Sequence, residues 1–437
     1  MHPAWIYQSN WMLVRLPIAA IAAAVIAWMW LFFYPMPPDR LTITTAGKGG
    51  AYYRLAIQYQ DYFKSHGVDL EVKASEGSQE NLEQLTNAKA PADLALMQGG
   101  FGYLGAGLRK RDRSQIETLA NVNTEAIWLF SRNRAITSID QLKGLKVAVG
   151  AERSGSRKVA LKLFEQAKID TKDLKLFPTQ GLESAPALRQ GVVDVVFMVA
   201  PAESFTVQEM LKIPGIQVGN LQKLAAMVER NPFLETSLLA QGAFDFRIPP
   251  KDTAMLTMST SLVARENLNP ALKRLAIAAT LEINNKGGLF HRAGDFPTLR
   301  RIDFPTAPQA RSALTNGLRW HESVLPFWWG QFFERVVLLV LPVVLLALWL
   351  MQRAISSMRW MLLGRVNRWY GELKFIENDL GNVNITGLDI TRFLSRLNRI
   401  DADVLAFRCP AELMARTYTL HQHIEFVRQR LYRMRGR

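Results

Sequence analysis

The sequence predicts an α/β protein in which a two-lobed domain is set between two transmembrane helices and followed by an α-helical tail. Three observations lead there. Strand, glycine-rich turn and helix signals alternate through the middle of the chain, the pattern of βαβ units around a largely parallel sheet. Two uncharged apolar runs bracket that middle. The stretch beyond the second run, Arg353 to Arg437, is Arg-rich and keeps a helical period to its end.

The first apolar run is Leu16 to Tyr34. It spans about 19 residues, close to the roughly 20 that a helix needs to cross the hydrocarbon of a bilayer. Trp28, Trp30 and Tyr34 crowd its far end, where an interfacial aromatic belt is expected. A cleaved signal peptide is the competing reading, but the run ends in Phe32-Phe33-Tyr34-Pro35-Met36-Pro37-Pro38, with no small-residue cleavage site. The second run, Val336 to Met351, has about 16 residues. Phe327, Trp328, Trp329, Phe332 and Phe333 precede it, and Arg353, Arg359, Arg365 and Arg368 follow it. That asymmetry favours a membrane span over a buried core helix. By the positive-inside rule the basic tail is cytoplasmic. Two spans return the N-terminus, with Arg15, to the same side. The expected organisation is a cytoplasmic N-terminus over residues 1–15, spans over 16–34 and 336–351, an outward-facing domain over 39–326 and a cytoplasmic helical tail over 352–437.

Within the domain, Leu41–Thr45, Val68–Ala74 and Asp93–Met97 read as strands. Helices follow the first two, one over Tyr52–Ser65 and one for which Ser78 is a candidate N-cap. Farther on, Lys146–Gly150 and Val192–Val199 are strands, and Ser154-Gly155-Ser156 caps a helix from Arg157 to about Lys168. Ile127–Ser131 and Thr257–Arg265 are extended segments that flank this middle block. A block inserted between two crossing strands gives two lobes on a double hinge, which can close on a ligand. The expected lobes are about 39–130 with 255–326, and 131–254.

Ligands in open α/β sheets bind beyond the carboxyl ends of the strands. The candidate binding residues lie at such ends: Gly49, Gly50, Ala51, Tyr52 and Tyr53 after the first strand, Gly77, Ser78 and Asn81 after the second, and Gln98 and Gly99 after the third. Ser154, Gly155, Ser156 and Arg157 occupy the equivalent place in the middle block. Unpaired N–H groups and the helix dipole at a helix start attract anions. Two such starts facing one cleft suit a small molecule with a carboxylate, an organic acid or an amino acid. Each loop taken alone reads more readily as a well-made helix cap, and it is the two in equivalent positions that shift the balance toward a site.

The composition excludes other classes. The formal net charge of +15 suggests nucleic acid, but no zinc-finger spacing, RNA-recognition signature or basic-region heptad is present, and much of the excess sits in the tail. Anionic lipid at the bilayer surface is the better partner for it. Cys409 is the single cysteine, so no intrachain disulfide forms. No phosphate-loop, G-x-S-x-G, H-E-x-x-H or C-x-x-C spacing occurs, and the histidines are scattered. Neither a cofactor, a metal site nor an enzymatic activity is expected.

The loops resemble those of the TAXI family of TRAP-transporter solute receptors. The resemblance is carried by Thr44-Thr45-Ala46-Gly47-Lys48-Gly49-Gly50-Ala51-Tyr52-Tyr53, by Glu76-Gly77-Ser78-Gln79-Glu80-Asn81-Leu82 and by Asp93-Leu94-Ala95-Leu96-Met97-Gln98. Val147–Gly150 with Ser154–Ser156, and Gln190–Asp194, continue it in the right order. It implies a type II periplasmic-binding-protein (Venus flytrap) fold, an organic-acid or amino-acid ligand, a periplasmic domain on the bacterial inner membrane and membrane-embedded transporter subunits as partners. The chain departs from the family pattern at Ala51, where a hydroxyl residue is common, at Glu76, where glycine is common, and at Gly99-Gly100, which replace a polar pair.

The tail is also unusual for that family. Ser357–Leu380, Leu388–Phe407 and Ala411–Tyr432 read as helices. Leu394, Leu397, Ile400 and Val404 could pack on Leu413, Tyr418, Ile424, Val427 and Leu431 as a hairpin. A cytoplasmic partner surface, or a helix lying on anionic lipid, are the sharper readings of the same faces, with self-packing ahead of both.

Overall fold

The computed structural model describes residues 21–435 apart from 23, 27, 30–31, 33–34, 88–91, 105–112, 246, 336, 338–339, 382–386 and 408–410. The chain divides into two compact units, residues 36–332, and residues 1–35 with 333–437.

The first unit opens with β1 (Arg40–Thr44), α1 (Ala51–Ser65), β2 (Asp69–Lys73), α2 (Ser78–Thr86) and β3 (Leu94–Gln98). β1 lies parallel to both β2 and β3. All five residues of β3 are buried, as expected of a strand covered on both faces. α1 buries Ala56, Tyr59 and Phe63, a three-and-four spacing that keeps one stripe on the sheet. These residues join Ile43, Leu70, Leu96 and Leu272 in one core.

Two long strands then organise the rest, β4 (Ile116–Arg132) and, after the middle block, β10 (Thr253–Arg265). The block between them holds β5 (Lys146–Ala148), α3 (Gly155–Gln166), β6 (Lys175–Phe177), α4 (Ser184–Arg189), β7 (Val195–Ala200), α5 (Phe205–Leu211), β8 (Ile216–Val218), α6 (Leu224–Arg230) and β9 (Glu235–Leu239). β4 and β10 pair antiparallel from Ile116–Arg265 to Ala126–Thr257. The second half of β10 pairs with β3, and the second half of β4 pairs with β7. The strand order is therefore β2-β1-β3-β10-β4-β7-β5-β6, with β8 added to β4 and β9 to β10. One pair of strands serves both lobes. The changeover falls where Glu125 faces Met258, beside a register shift between Thr260 and Ser261.

The second lobe has a core on each face of its sheet. Phe164, Val195 and Phe197 mark one face, and Trp128, Val196 and Met210 the other. Trp128 is fully buried, and its indole N–H donates to the Ala200 carbonyl at 2.9 Å. Helices α7 (Pro270–Ile283), α8 (Pro308–Asn316), α9 (Trp320–Val324) and α10 (Phe327–Arg335) follow β10.

Several local expectations change. Gly77, not Ser78, is the cap of α2, and Ser78 is its first helical residue. Ser154 alone caps α3, whose helix begins at Gly155. The crossing strand starts at Ile116, eleven residues before the apolar run Ile127–Ser131 that signalled it, because its first half alternates polar and apolar residues.

In the second unit, α11 (Leu341–Asp379) is one continuous helix, so the helix expected from Ser357 begins earlier. α12 (Gly387–Ala406) and α13 (Ala411–Arg435) pack on each other as the expected hairpin, and α11 joins them in a three-helix unit. Its core combines Val366, Leu373 and Ile376 with Leu394, Leu397 and Ile400 and with Leu420, Ile424, Val427 and Leu431. Leu413 is only half-buried and Tyr418 is exposed, because the buried stripe of α13 begins at Leu420. Buried Asp401 accepts from Arg428 Nη2 at 2.6 Å and lies 2.7 Å from His421 Nδ1.

No helix among the described residues is long and apolar enough to cross a membrane. Much of the run Leu16–Tyr34, part of Val336–Met351 and Cys409 lie outside the described residues.

Candidate functional site

A cavity of about 470 Å³ lies between the two lobes. That is within the range of small-molecule sites, roughly 300–1,000 Å³. Lobe one contributes the turn Ala46–Gly50 with the start of α1, the Glu76–Ser78 corner and Gln98. Lobe two contributes Gly150, Ser154–Ser156, the segment Pro178–Ser184 and the end of β7.

The glycine-rich turn is held by two bonds to the Gly47 carbonyl, from Gly49 N at 2.9 Å and Gly50 N at 2.8 Å. Gly50 caps α1 without a side-chain bond. The first-turn N–H groups of α1 have no partner inside the helix, and they begin at the cavity wall. A second helix start, that of α2, is capped by Gly77 at φ +136°, again without a side chain. A Cβ on Gly77 would stand 3.1 Å from the Ser154 Cα, so glycine lets the starts of α2 and α3 meet across the cleft. Gln79 N donates to the Arg153 carbonyl at 3.3 Å, and Arg153 pairs with Glu83. These contacts close one lip of the cleft.

Of the residues expected at the site, Gly49, Gly50, Ala51, Tyr52, Gly77, Ser78, Gln98, Ser154, Gly155 and Ser156 line the cavity. Tyr53, Asn81, Gly99 and Arg157 do not. Asn81 is fully buried and ties strands together, accepting from Thr44 Oγ1 at 2.7 Å and donating to the Leu96 carbonyl at 2.8 Å. Gly99 N donates to the Ser259 carbonyl at 2.7 Å, which spends it on the sheet. Arg157 supplies only its backbone N–H, to Ser154 Oγ at 3.2 Å. The serine hydroxyls have structural partners as well. Ser78 Oγ accepts from Gln98 N at 3.0 Å, Ser156 Oγ accepts from Val199 N at 3.2 Å, and Ser154 Oγ donates to the Ala151 carbonyl at 2.8 Å.

Two lining residues carry chemistry that the loop motifs did not announce. Glu125 is 2% exposed and accepts from Tyr52 Oη at 2.9 Å. Burial pushes its carboxyl up to about 8, although the bond from Tyr52 and the nearby Thr260 hydroxyl pull the other way. Burial and the neighbouring Glu125 also raise the Tyr52 phenol. Ser184, at the start of α4, is 1% exposed, and its hydroxyl has no hydrogen-bond partner among the described residues. The signal for Glu125 was a carboxylate directly before the apolar run Ala126–Phe130. Ser184 carried none, because its segment reaches the cleft only through the lobe packing.

The charged residues of the wall are Lys48, Glu76, Glu125 and Glu183. Lys48, Glu76 and Glu183 are exposed, and only Glu125 is buried. The wall therefore carries more acid than base, with uncapped helix starts as its main source of positive potential. Among the described residues no cluster of His, Cys, Asp or Glu could hold a metal ion.

No curated protein matches the chain in sequence. Solved structures that resemble it include the periplasmic aliphatic sulphonate binding protein of Escherichia coli, with 18% identity, 56% of this chain and 72% of that chain covered, and a TM-score of 0.35. A putative L-cystine ABC transporter protein of Listeria monocytogenes is 13% identical over 60% of this chain and 98% of that one, with a TM-score of 0.36. The GluR0 ligand-binding core of Nostoc punctiforme, in complex with L-glutamate, is 14% identical over 56% of this chain and 92% of that one, with a TM-score of 0.35. A family model spans residues 43–295, from β1 through both crossing strands to the segment after α7. With its α/β sheet, two shared crossing strands and interlobe cavity, the domain has a periplasmic-binding-protein-like fold, and the chain belongs to the NMT1-like family.

Proposed function

We propose that this chain is a solute-binding protein that captures a small anionic or zwitterionic organic molecule by closing two lobes on it. The observation that carries the reading is the cavity between the lobes, walled by both and opened onto by helix starts that no side chain caps. A carboxylate placed there would meet backbone N–H donors and the favourable end of the helix dipole. The loop resemblance to TAXI receptors supports the same ligand class. The apolar runs at Leu16–Tyr34 and Val336–Met351 and the basic tail support tethering at both ends in a bacterial inner membrane, with the binding domain outside and both termini inside. Membrane subunits of a TRAP-type transporter are then the natural recipients of the ligand.

Thermal-shift screening of the full chain in nanodiscs against organic acids and amino acids tests the binding claim. A ligand held at about 100 times its Kd should stabilise the domain by about 2.7 kcal/mol. No stabilisation by any member of the panel would reject solute binding. Alkaline phosphatase fused after Arg437 should be inactive if the tail is cytoplasmic, and activity there would overturn the tethering.

One observation favours a second reading, a sensor that signals inward. The tail has a helical core of its own, from Val366 to Leu431, which a receptor that only delivers solute does not need. Protease protection of the tail should then change when ligand is added, and identical digestion with and without ligand would exclude the sensor.

A further inference from the structure

We propose that Glu125 reads the cationic group of the ligand, so that the cleft selects organic molecules carrying a protonated amine over matched acids that lack one. The proposal rests on the reading of the cleft as a solute site and narrows its ligand class.

Glu125 sits where the two crossing strands pass from one lobe to the other, opposite Met258. It lines the cavity at 2% exposure. Once ionised, a carboxylate has about four acceptor positions, and the Tyr52 phenol fills one of them at 2.9 Å. Among the described residues, the groups around it offer no counter-charge. From α1 it meets Tyr52, and from β10 the Thr260 hydroxyl, which lies beside the pair without a well-formed bond. Across the cavity Ser184 presents an unpartnered buried hydroxyl. The charged groups of the wall are Lys48, Glu76 and Glu183, all exposed, and two of the three are acidic. No cation among the described residues pairs with Glu125.

A buried carboxyl without a counter-ion keeps its proton. An ammonium entering the cavity supplies the missing partner. Glu125 then loses its proton to solvent and forms an ion pair with the ligand, one proton released for each amine bound. The carboxylate end of the same ligand faces the start of α1, where the amides of the first turn are free of intrahelical bonds. The Ser184 hydroxyl in the cavity wall can accept a remaining ammonium proton or donate to a ligand oxygen.

Isothermal titration calorimetry of the full chain in nanodiscs at pH 7.4, in phosphate and in Tris, tests this. The probes are pairs that differ by one amine: L-leucine and isocaproate, L-aspartate and succinate, γ-aminobutyrate and butyrate. The expected result is that the amine member of a pair binds at least about tenfold tighter, a difference of about 1.4 kcal/mol. The two buffers should report release of nearly one proton per site. Glu125→Gln should abolish both the preference and the proton release while the acid still binds, and Glu125→Asp should retain the preference. Equal binding of both members of every pair would overturn the proposal and leave solute binding intact. So would a preference that survives Glu125→Gln, or proton uptake in place of release. If no probe binds, the solute-site reading fails and the proposal with it.

Discussion

Replacing Glu125 with Gln should raise the stability of the ligand-free protein, and the gain should grow with pH. The carboxyl is pushed up to about 8 in the folded domain, mainly by burial, against an ordinary value near 4.5. A group raised in this way prefers its protonated form in the native state. The folded protein carries no penalty below about pH 4.5, an increasing one as pH rises, and a constant one above about pH 8. At about 1.36 kcal/mol for each pH unit that separates the folded from the ordinary value, the full penalty is about 5 kcal/mol. About 4 kcal/mol of it develops between pH 5 and pH 8.5. Gln is neutral at every pH and can still accept from Tyr52 Oη, so the variant escapes the penalty. A domain of this size moves its melting midpoint by roughly 2 °C per kcal/mol. The variant should therefore melt within a degree or two of the parent at pH 5 and about 10 °C above it at pH 8.5. Differential scanning fluorimetry of the two proteins across that range reads the difference directly. Other titrating groups, such as Asp303, which burial raises to about 6, cancel between parent and variant. Parallel melting curves at all pH values would show that Glu125 is charged in the folded state, and would refute the burial argument.

Gly99→Ala should destabilise the binding domain by about 1–3 kcal/mol, the ordinary cost of overpacking, because its Cβ would stand 2.4 Å from the Ser259 carbonyl oxygen; an unchanged melting midpoint would mean that the two strands can part without cost. Asp401→Ala should loosen the helical tail unit by about 1 kcal/mol, since the side chain binds both Arg428 and His421. Burial opposes ionisation of Asp401, but the bonds from Arg428 and His421 outweigh it and hold the carboxyl below its ordinary range. The contribution is thus complete above the ordinary carboxylate value and lost as pH falls through the depressed one. Hydrogen exchange at the amides of Leu397 and Leu420 should accelerate in the variant at neutral pH, and unchanged exchange would show that the apolar core alone holds the unit.

Much of the sheet was legible from local pattern. The strands Arg40–Thr44, Asp69–Lys73, Leu94–Gln98 and Val195–Ala200 lie within two or three residues of the segments that announced them, because the inner strands Leu94–Gln98 and Val195–Ala200 are near-continuous apolar runs and the outer two alternate apolar with polar residues. The first half of β4 was not legible. Glu117, Asn121, Asn123 and Thr124 interrupt its apolar residues, and their strand conformation is imposed by pairing with β10. The cavity wall was legible where glycine marks a turn, at Gly49, Gly50 and Gly77, since backbone geometry and sequence speak together there. It was not legible where a polar residue serves the scaffold. Asn81 looks like a ligand contact and is a strand tie, and Arg157 looks like an anion partner and stands outside the cavity wall.

The sequence by itself determined the α/β class, the apolar runs that bracket it and the helix starts at the strand ends, all of which depend on residues close together in the chain. Only the tertiary structure decided the character of the cleft. Glu125, Tyr52 and Ser184 are far apart in sequence and come to one cavity because the crossing strands carry β4 between the lobes. Burial then changes what Glu125 is chemically, from a charged surface carboxylate to a protonated acid awaiting a partner, and burial is a property of packing that no local pattern contains.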